Sequence, residues 1–297
     1  MFVFLTEIFC QIDDFCNSFD AKYQHFFLNG PTKKRQRACS MSLSEIMTIV
    51  ILFHTSGYRT FKDFYLLCVC RDLKQHFPKA LSYTRFLQVM EYALMPLTVF
   101  LNGQKGKETG LYYVDSTTIS VCHIKREKRH KVFKGLATKS KGTMGWFFGF
   151  KLHLVINNLG EIMASRLTTA TTDDRKPVSN LVKMLNGWLF GDKGYLGKEF
   201  WEKLKEQSME LFTKVKKNMK KKVMNVTQKF YLSKRGLIET VNDQLKNICQ
   251  IEHTRHRKPV NAFVNLVAGL IAYAFRPRKP SIKNNKLPKP MLALTSS

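Results

Sequence analysis

The chain has 297 residues, enough to bury a full core and to hold one large domain or two modest ones. Its 49 Lys and Arg against 22 Asp and Glu leave a formal charge of +27 and a pI near 9.9, which argues against a cationic partner and for a polyanion. Nucleic acid comes before a membrane: there is no basic amphipathic anchor or lipidation motif, and the longest apolar stretch, Ala262 to Phe275, is broken by Asn265 and falls short of the ~20 residues a bilayer needs.

From Phe2 to Phe19 apolar residues recur at three and four, the pattern of one helix face. Met1 to Cys10 carries Glu7 and no basic leader, so it reads as the start of that helix and not as an export signal. The seven scattered cysteines are then expected as reduced thiols in a cytoplasm. After Asn29-Gly30-Pro31 comes Lys33-Lys34-Arg35-Gln36-Arg37, either a solvated linker or a phosphate contact. Ser42 and Glu45 have capping-box spacing and introduce a helix through Phe53, which His54-Thr55-Ser56-Gly57 breaks. Further helices are expected over Thr60 to Cys70 and Tyr83 to Leu94, the second stopped by Pro96. Cys68-Val-Cys70 has the wrong spacing for zinc and reads as small apolar fillers. An all-helical region of this kind is either a helix-turn-helix that touches DNA or a bundle that only packs. Gly103 to Gly110 is polar enough to be a boundary, so residues 1–108 are taken as a helical N-terminal region and a candidate DNA-binding one.

Leu111 to Val121 opens a different architecture. Leu111, Tyr112, Tyr113 and Val114 favour a strand, and Asp115 follows inside it, where an ionised carboxylate must be neutralised, paired or bound to a metal. The segment His123 to Gly145 is crowded with cations, among them Arg126, Arg129, Lys131 and Lys134, beside aromatic Phe133. It is either a wall that tracks a phosphate backbone or a disordered loop; His123 and His130 are read as polar loop residues and not as metal ligands. Trp146 to Asn157 and Glu161 to Thr169 read as a hairpin. Asp173-Asp174 before Pro177 is read as a helix N-terminus, with metal binding as the alternative. In Trp188-Leu189-Phe190-Gly191-Asp192-Lys193-Gly194-Tyr195 a second short apolar run ends in an acid, so that Asp192 repeats the strand-end placement of Asp115, with Lys193 beside it. A helix through Glu206, a strand Glu210 to Val215 and a basic segment Lys214 to Lys222 follow.

Ser233 to Ile251 reads as one long helix. At roughly 100° per residue, Arg235, Asn242 and Lys246 share a face with Glu239, while Ile238, Val241, Leu245 and Ile248 form the neighbouring apolar stripe. Taken alone this is equally an exposed, salt-bridged helix. With Asp115 and Asp192, however, Glu239 makes a third carboxylate arm, and oxygen ligands of this kind select Mg²⁺ or Mn²⁺, expected as two ions that promote phosphodiester displacement by water or a 3′-hydroxyl. Arg235 and Lys246 would meet phosphates.

The sequence resembles DDE transposases of bacterial insertion sequences, most closely the group numbered nine-eight-two. The resemblance runs from Phe9-Cys-Gln-Ile-Asp-Asp-Phe-Cys16, through Leu43-Ser44-Glu45-Ile46-Met47 and Val114-Asp115-Ser116-Thr117, to His253-Thr254-Arg255-His256-Arg257. Its most specific parts are Gly191-Asp192-Lys193-Gly194-Tyr195 and Ile238 through Lys246. It implies a ribonuclease H-like α/β domain, a mixed five-stranded sheet with flanking helices, over residues 109–278, preceded by the all-helical region and followed by a basic, flexible tail at 279–297. It also implies Asp115, Asp192 and Glu239 as the metal-binding triad, and a Tyr-Arg-Glu-Lys signature that Arg235, Glu239 and Lys246 match in spacing. Leu232 stands where the tyrosine would be, and Tyr231 lies one residue earlier. Binding to the element's terminal inverted repeats and to target DNA, strand cleavage and strand transfer, and a homo-oligomeric synaptic complex in the bacterial cytoplasm, associated with the nucleoid, are further implications. A nuclease of the same fold that cuts without joining, and a non-catalytic or relic DNA-binding protein, are the competing readings.

Overall fold

In chain order the computed structural model contains α1 (Phe2–Leu28), α2 (Leu43–Phe53), α3 (Phe61–Asp63), α4 (Tyr83–Val89) and α5 (Leu94–Gly103). Then come β1 (Leu111–Cys122), β2 (Thr138–Gly142), β3 (Gly145–Asn157), β4 (Ile162–Thr169), α6 (Val178–Leu181), β5 (Gly187–Gly191), α7 (Lys198–Glu206) and β6 (Met209–Thr213). Helices α8 (Val226–Ser233), α9 (Gly236–Asp243) and α10 (Pro259–Ala274) close the chain. The structure describes residues 2–28, 39–142, 145–214, 224–252 and 255–282. The basic run at 33–37, nearly all of that at 214–222, His253-Thr254 and residues 283–297 therefore lie outside the described residues.

The chain forms two compact units, Met1–Gln104 with Leu245–Phe275, and Lys105–Gln244 with Arg276–Ser297. In the first, all elements are helical. Ser42 Oγ accepts from the Glu45 amide at 3.1 Å and Glu45 Oε2 accepts from the Ser42 amide at 2.7 Å, so the expected capping box forms at α2. Pro96 does not stop a helix. The chain passes from α4 through a 3-10 turn, Met90–Ala93, and Pro96 sits in the first turn of α5, where its missing N–H removes no helical bond. Similarly, α3 runs on as a π-helix, Phe64–Asp72, past the expected end at Cys70. Ile8, Ile12, Met47, Ile51, Phe64 and Phe86 pack with Val264, Ala268 and Ile271 of α10. That burial accounts for the apolar stretch at 262–275, and among the described residues no helix is long and apolar enough to cross a membrane.

The second unit is built on a six-stranded mixed sheet with β1 at its centre. β3 runs antiparallel along one edge of β1, and β5 and then β6 run parallel along the other. The free edge of β3 takes β2 at its first half and β4 at its second, with Lys139 opposite Phe148 and Leu154 opposite Ser165. This is the mixed α/β arrangement expected of a ribonuclease H-like sheet with flanking helices, except that it has six strands where five were expected. The extra one is β2, drawn from the cationic segment that polarity marked as a loop; its backbone groups pair with β3, and its alternation of half-buried and exposed residues is that of an edge strand.

The sheet is buried on both faces. Tyr112, Val114, Leu189 and Leu211 pack under Val178 of α6, Val182 just after it, and Leu204 of α7. On the opposite face Tyr113, Phe190 and Phe212 form a row with ring centroids 5.4 Å apart, closed by Tyr231 of α8 at 6.1 Å from Phe190. Tyr113 Oη donates to the Tyr231 carbonyl at 3.1 Å, so Tyr231 is a core residue. The expected single helix over 233–251 is instead α9 followed by a π-helix, Gln244–Ile248, with α8 as a separate helix before it. A π-turn holds more residues than an α-turn and shifts the phase, which is why Ile248 of the expected apolar stripe is exposed and Cys249 is buried instead.

Candidate active site

Register places the first two acids. Tyr113 of β1 pairs with Phe190 of β5, and carrying that parallel register two residues further sets Asp115 level with Asp192. Both then lie on the face that carries Tyr113 and Phe190. The two differ in setting, because β1 continues to Cys122 whereas β5 ends at Gly191 and Asp192 remains extended beyond it, at φ −79° and ψ 170°. Asp115 is thus inside a long strand and largely covered, not at a strand end, and Asp192 is exposed. Gly191 sits in tight packing: a Cβ there would stand 3.1 Å from the Tyr195 ring and 3.2 Å from Val114 Cγ1, so these neighbours would have to give by a few tenths of an ångström. Gly194 has open space around it and carries no such constraint.

Helix α9 packs on β1 over this face. Its Asn242, buried, donates from Nδ2 to Asp115 Oδ2 at 3.2 Å, while Asn242 Oδ1 is buried without a hydrogen-bond partner. One turn earlier Glu239 is exposed and holds Arg235 Nη2 at 2.6 Å. Burial pushes the Asp115 carboxyl up to about 6; the Ser116 amide and the Arg235 charge oppose this, and the Glu239 and Asp192 charges add to it. Tyr195, buried, is raised by burial and then by Asp115, Asp174 and Asp192, with a hydrogen bond to Ser116 opposing them. The fields of Asp192 and Glu239 therefore both reach Asp115, with Arg235 as the shared counterion. Among the described residues no three His, Cys, Asp or Glu side chains are grouped closely enough to hold a metal ion. The Asp115 carboxylate, held by Asn242, and the carboxylates of Asp192 and Glu239 whose charges reach it are hard oxygen donors of the type a divalent cation takes, but they are not gathered into a site here.

Of the expected phosphate contacts, all but Lys246 belong to the sheet unit. Arg126 and Arg129 lie in a 3-10 turn, Ile124–Arg129, and with Lys131, Lys134 and Lys193 they are exposed. Phe133 is buried against Phe150 and stacks on His130 with centroids 5.7 Å apart, so it anchors this segment to the sheet and offers no surface for a base. Exposed Trp146 does offer one, with Lys139 Nζ 5.4 Å from its ring centroid. Lys246, half-buried, pairs with Glu252 at 3.3 Å in the helical unit. Asp173 and Asp174 do not cap α6. Asp173 is engaged by Arg175 at 2.6 Å, which with its amide holds it at about 2, and Asp174 by Lys151 at 3.0 Å, close to a buried His153 that desolvation pushes down to about 4.

A family model described as the transposase DDE domain matches residues 105–259, more than half of the chain and inclusive of all three acids. The chain belongs to the transposase DDE domain family. No curated protein and no solved structure matches it. The DDE domain match begins where the sheet unit begins, at residue 105.

Within the DDE domain Asp115 has a measurable signature. Its pKa is raised on folding, so in the metal-free protein its contribution to stability is most favourable at low pH and is lost as pH rises from its unfolded value near 4 through about 6. Asp115→Asn is expected to raise the melting temperature in a chelator at pH 7 by on the order of 5 °C, and to change it little at pH 4. Thermal melts at the two pH values check this; equal shifts at both would show that burial of charge is not the cause. The sequence alone assigns no role to Asn242, Tyr195 or Trp146. The wheel had placed Asn242 beside Glu239, which was a usable signal, whereas nothing local distinguishes exposed Trp146 from the buried Phe147 and Phe148 that follow it.

Proposed function

We propose that the chain is a DNA transposase of a bacterial insertion sequence, of the nine-eight-two group, that binds the element's terminal inverted repeats and carries out divalent-metal-dependent strand cleavage and strand transfer. The observation that carries the reading is Asp115 on β1 under α9, its carboxylate held by Asn242 of that helix and reached by the charges of Glu239 and Asp192. DDE transposases generally use a divalent metal. Here Asp115, Asp192 and Glu239 would hold Mg²⁺ or Mn²⁺, as one or two ions, and the cation would supply Lewis acidity toward the phosphate and the leaving oxygen. Asn242 fixes the rotamer of Asp115 through its amide. Arg235 pairs with Glu239 and its charge reaches Asp115, so it offsets the repulsion between these acids in the absence of a cation and would meet phosphate in its presence. Arg126, Arg129, Lys131, Lys134, Lys193 and Lys246 contribute the cations that follow DNA strands, and Trp146 a ring on which a base can stack. Cleavage and joining at two element ends require more than one copy of the chain, so a homo-oligomer assembled on DNA in the cytoplasm is part of the proposal.

The test uses DNA carrying the short inverted repeats that flank the coding region, incubated with the full chain and Mg²⁺ or Mn²⁺. Nicking at the repeat ends followed by covalent joining to a second duplex supports a transposase; nicking without joining would leave only a nuclease. Binding should also weaken steeply with ionic strength, with a log-log slope on the order of several units, measured by anisotropy in chelator. A flat salt response would remove nucleic acid as the partner of this charge.

A further inference from the structure

The helical unit contains a cavity of about 680 Å³ bounded by the start of α3, the start of α4, and the N-terminus of α10 with the segment Arg255–Lys258 before it. Sixteen-residue α10 begins with Pro259 after Lys258, and no side chain caps it. Its first amides and its dipole therefore favour an anion at that end. The second observation is independent of the helix end. Asn261 and Asn265, on one face of α10 four residues apart, line the cavity while only 6% and 4% exposed. Asn261 Nδ2 donates to the Leu87 carbonyl at 3.1 Å, which leaves Asn261 Oδ1 without a hydrogen-bond partner, and Asn265 Nδ2 has none either. A buried acceptor and a buried donor thus face the same space unsatisfied.

The charges around the cavity select the ligand. Its carboxylates are already engaged: Glu91 pairs with Lys258 at 2.5 Å, and Asp63 accepts from Thr60 Oγ1 at 2.5 Å. Lys62, Arg255 and Arg257 also line it, the two arginines exposed to solvent, and the Arg257 charge is felt by the Tyr83 phenol on the opposite wall. An anion with a flat, hydrogen-bonding, apolar-faced body satisfies every one of these groups. We propose that this cavity binds one unpaired nucleotide of DNA, with its phosphate at the α10 N-terminus near Arg255 and Arg257, its base edge on Asn261 and Asn265, and its face against Tyr83. A cavity of this volume admits a single nucleotide and not a duplex, so the nucleotide is extrahelical or single-stranded. The inference deepens the DNA-binding reading above and rests on it.

The experiment measures binding of the full chain, in chelator and at fixed salt, to three fluorescent probes: a short paired duplex, the same duplex with one unpaired adenosine, and that duplex with an abasic residue in the adenosine's place. The unpaired adenosine is expected to bind about tenfold more tightly than the abasic probe. Asn265→Leu should abolish that preference and leave the paired duplex unaffected; Arg257→Gln should weaken the two bulged probes alike and lower their salt slope by about one. Equal wild-type affinity for adenosine and abasic probes, a comparison that needs no variant, overturns the inference, as does a preference that survives Asn265→Leu in a folded protein. Binding of the paired duplex without that preference leaves the DNA reading standing, whereas failure to bind any probe removes both.

Discussion

Asp192→Asn is expected to reduce Mg²⁺-dependent DNA cleavage by ~10³-fold or more while leaving DNA affinity in chelator within about twofold of wild type. The asymmetry follows from where Asp192 stands. It is exposed at the end of β5 and carries no core packing, so its loss leaves the sheet intact, and one removed negative charge is small against a net charge of +27. The same change removes one of the oxygen arms beside Asp115. Asp115→Asn is expected to be equally inactive, but with the opposite stability sign from most buried substitutions, because Asn at that position relieves a buried charge that Glu239 and Asp192 destabilise. A second readout is independent of turnover. Mn²⁺ should raise the melting temperature of the wild type, since it binds only the folded chain, and should raise that of either variant much less. Cleavage by Asp192→Asn at near wild-type rate would remove that residue from the site, and an equal Mn²⁺ shift in all three proteins would place the cation elsewhere.

Asp115 and Asp192 stand out in the sequence for a physical reason. A carboxylate directly after Leu111-Tyr112-Tyr113-Val114, and another after Trp188-Leu189-Phe190-Gly191, contradicts the local demand for burial, and such contradictions stand out in one dimension. The other five strands, in their chain order, were legible too, because apolar runs of this length with Gly and Asn at their ends admit few alternatives. What was not legible depended on backbone pairing or on helix phase. β2 reads as polar because an edge strand needs no apolar alternation, and only its ladder with β3 defines it. The π-helix at Gln244–Ile248 leaves no mark in the residue pattern, yet it moves Ile248 out of the buried stripe. Asp173 and Asp174 had the spacing of a helix cap, and the competing cations Arg175 and Lys151, the second of them on β3, captured them instead. The neighbour that fixes Asp115, Asn242, is 127 positions away in sequence.

Phe190→Ala should be the most destabilising single change in the sheet unit, costing about 3–5 kcal/mol. Phe190 is fully buried between Tyr113 and Phe212, each at 5.4 Å between ring centroids, with Trp188 at 6.5 Å and Tyr231 at 6.1 Å. Removing the ring opens a cavity whose walls are other rings on three strands and on α8, and flat aromatic walls cannot collapse to fill it. The three tryptophans, Trp146, Trp188 and Trp201, all belong to this unit, so their fluorescence reports its unfolding in denaturant without a signal from the helical unit. The midpoint should fall sharply in Phe190→Ala and hardly move in Trp146→Ala, whose ring is exposed. Because Phe190 is the last residue of β5 paired with β1 before the chain reaches Asp192, the variant should also lose cleavage at temperatures where its fluorescence is still that of the folded state. Full activity in folded Phe190→Ala would mean that Asp192 is positioned by something other than the strand that leads into it, and the register argument for the site would fail with it.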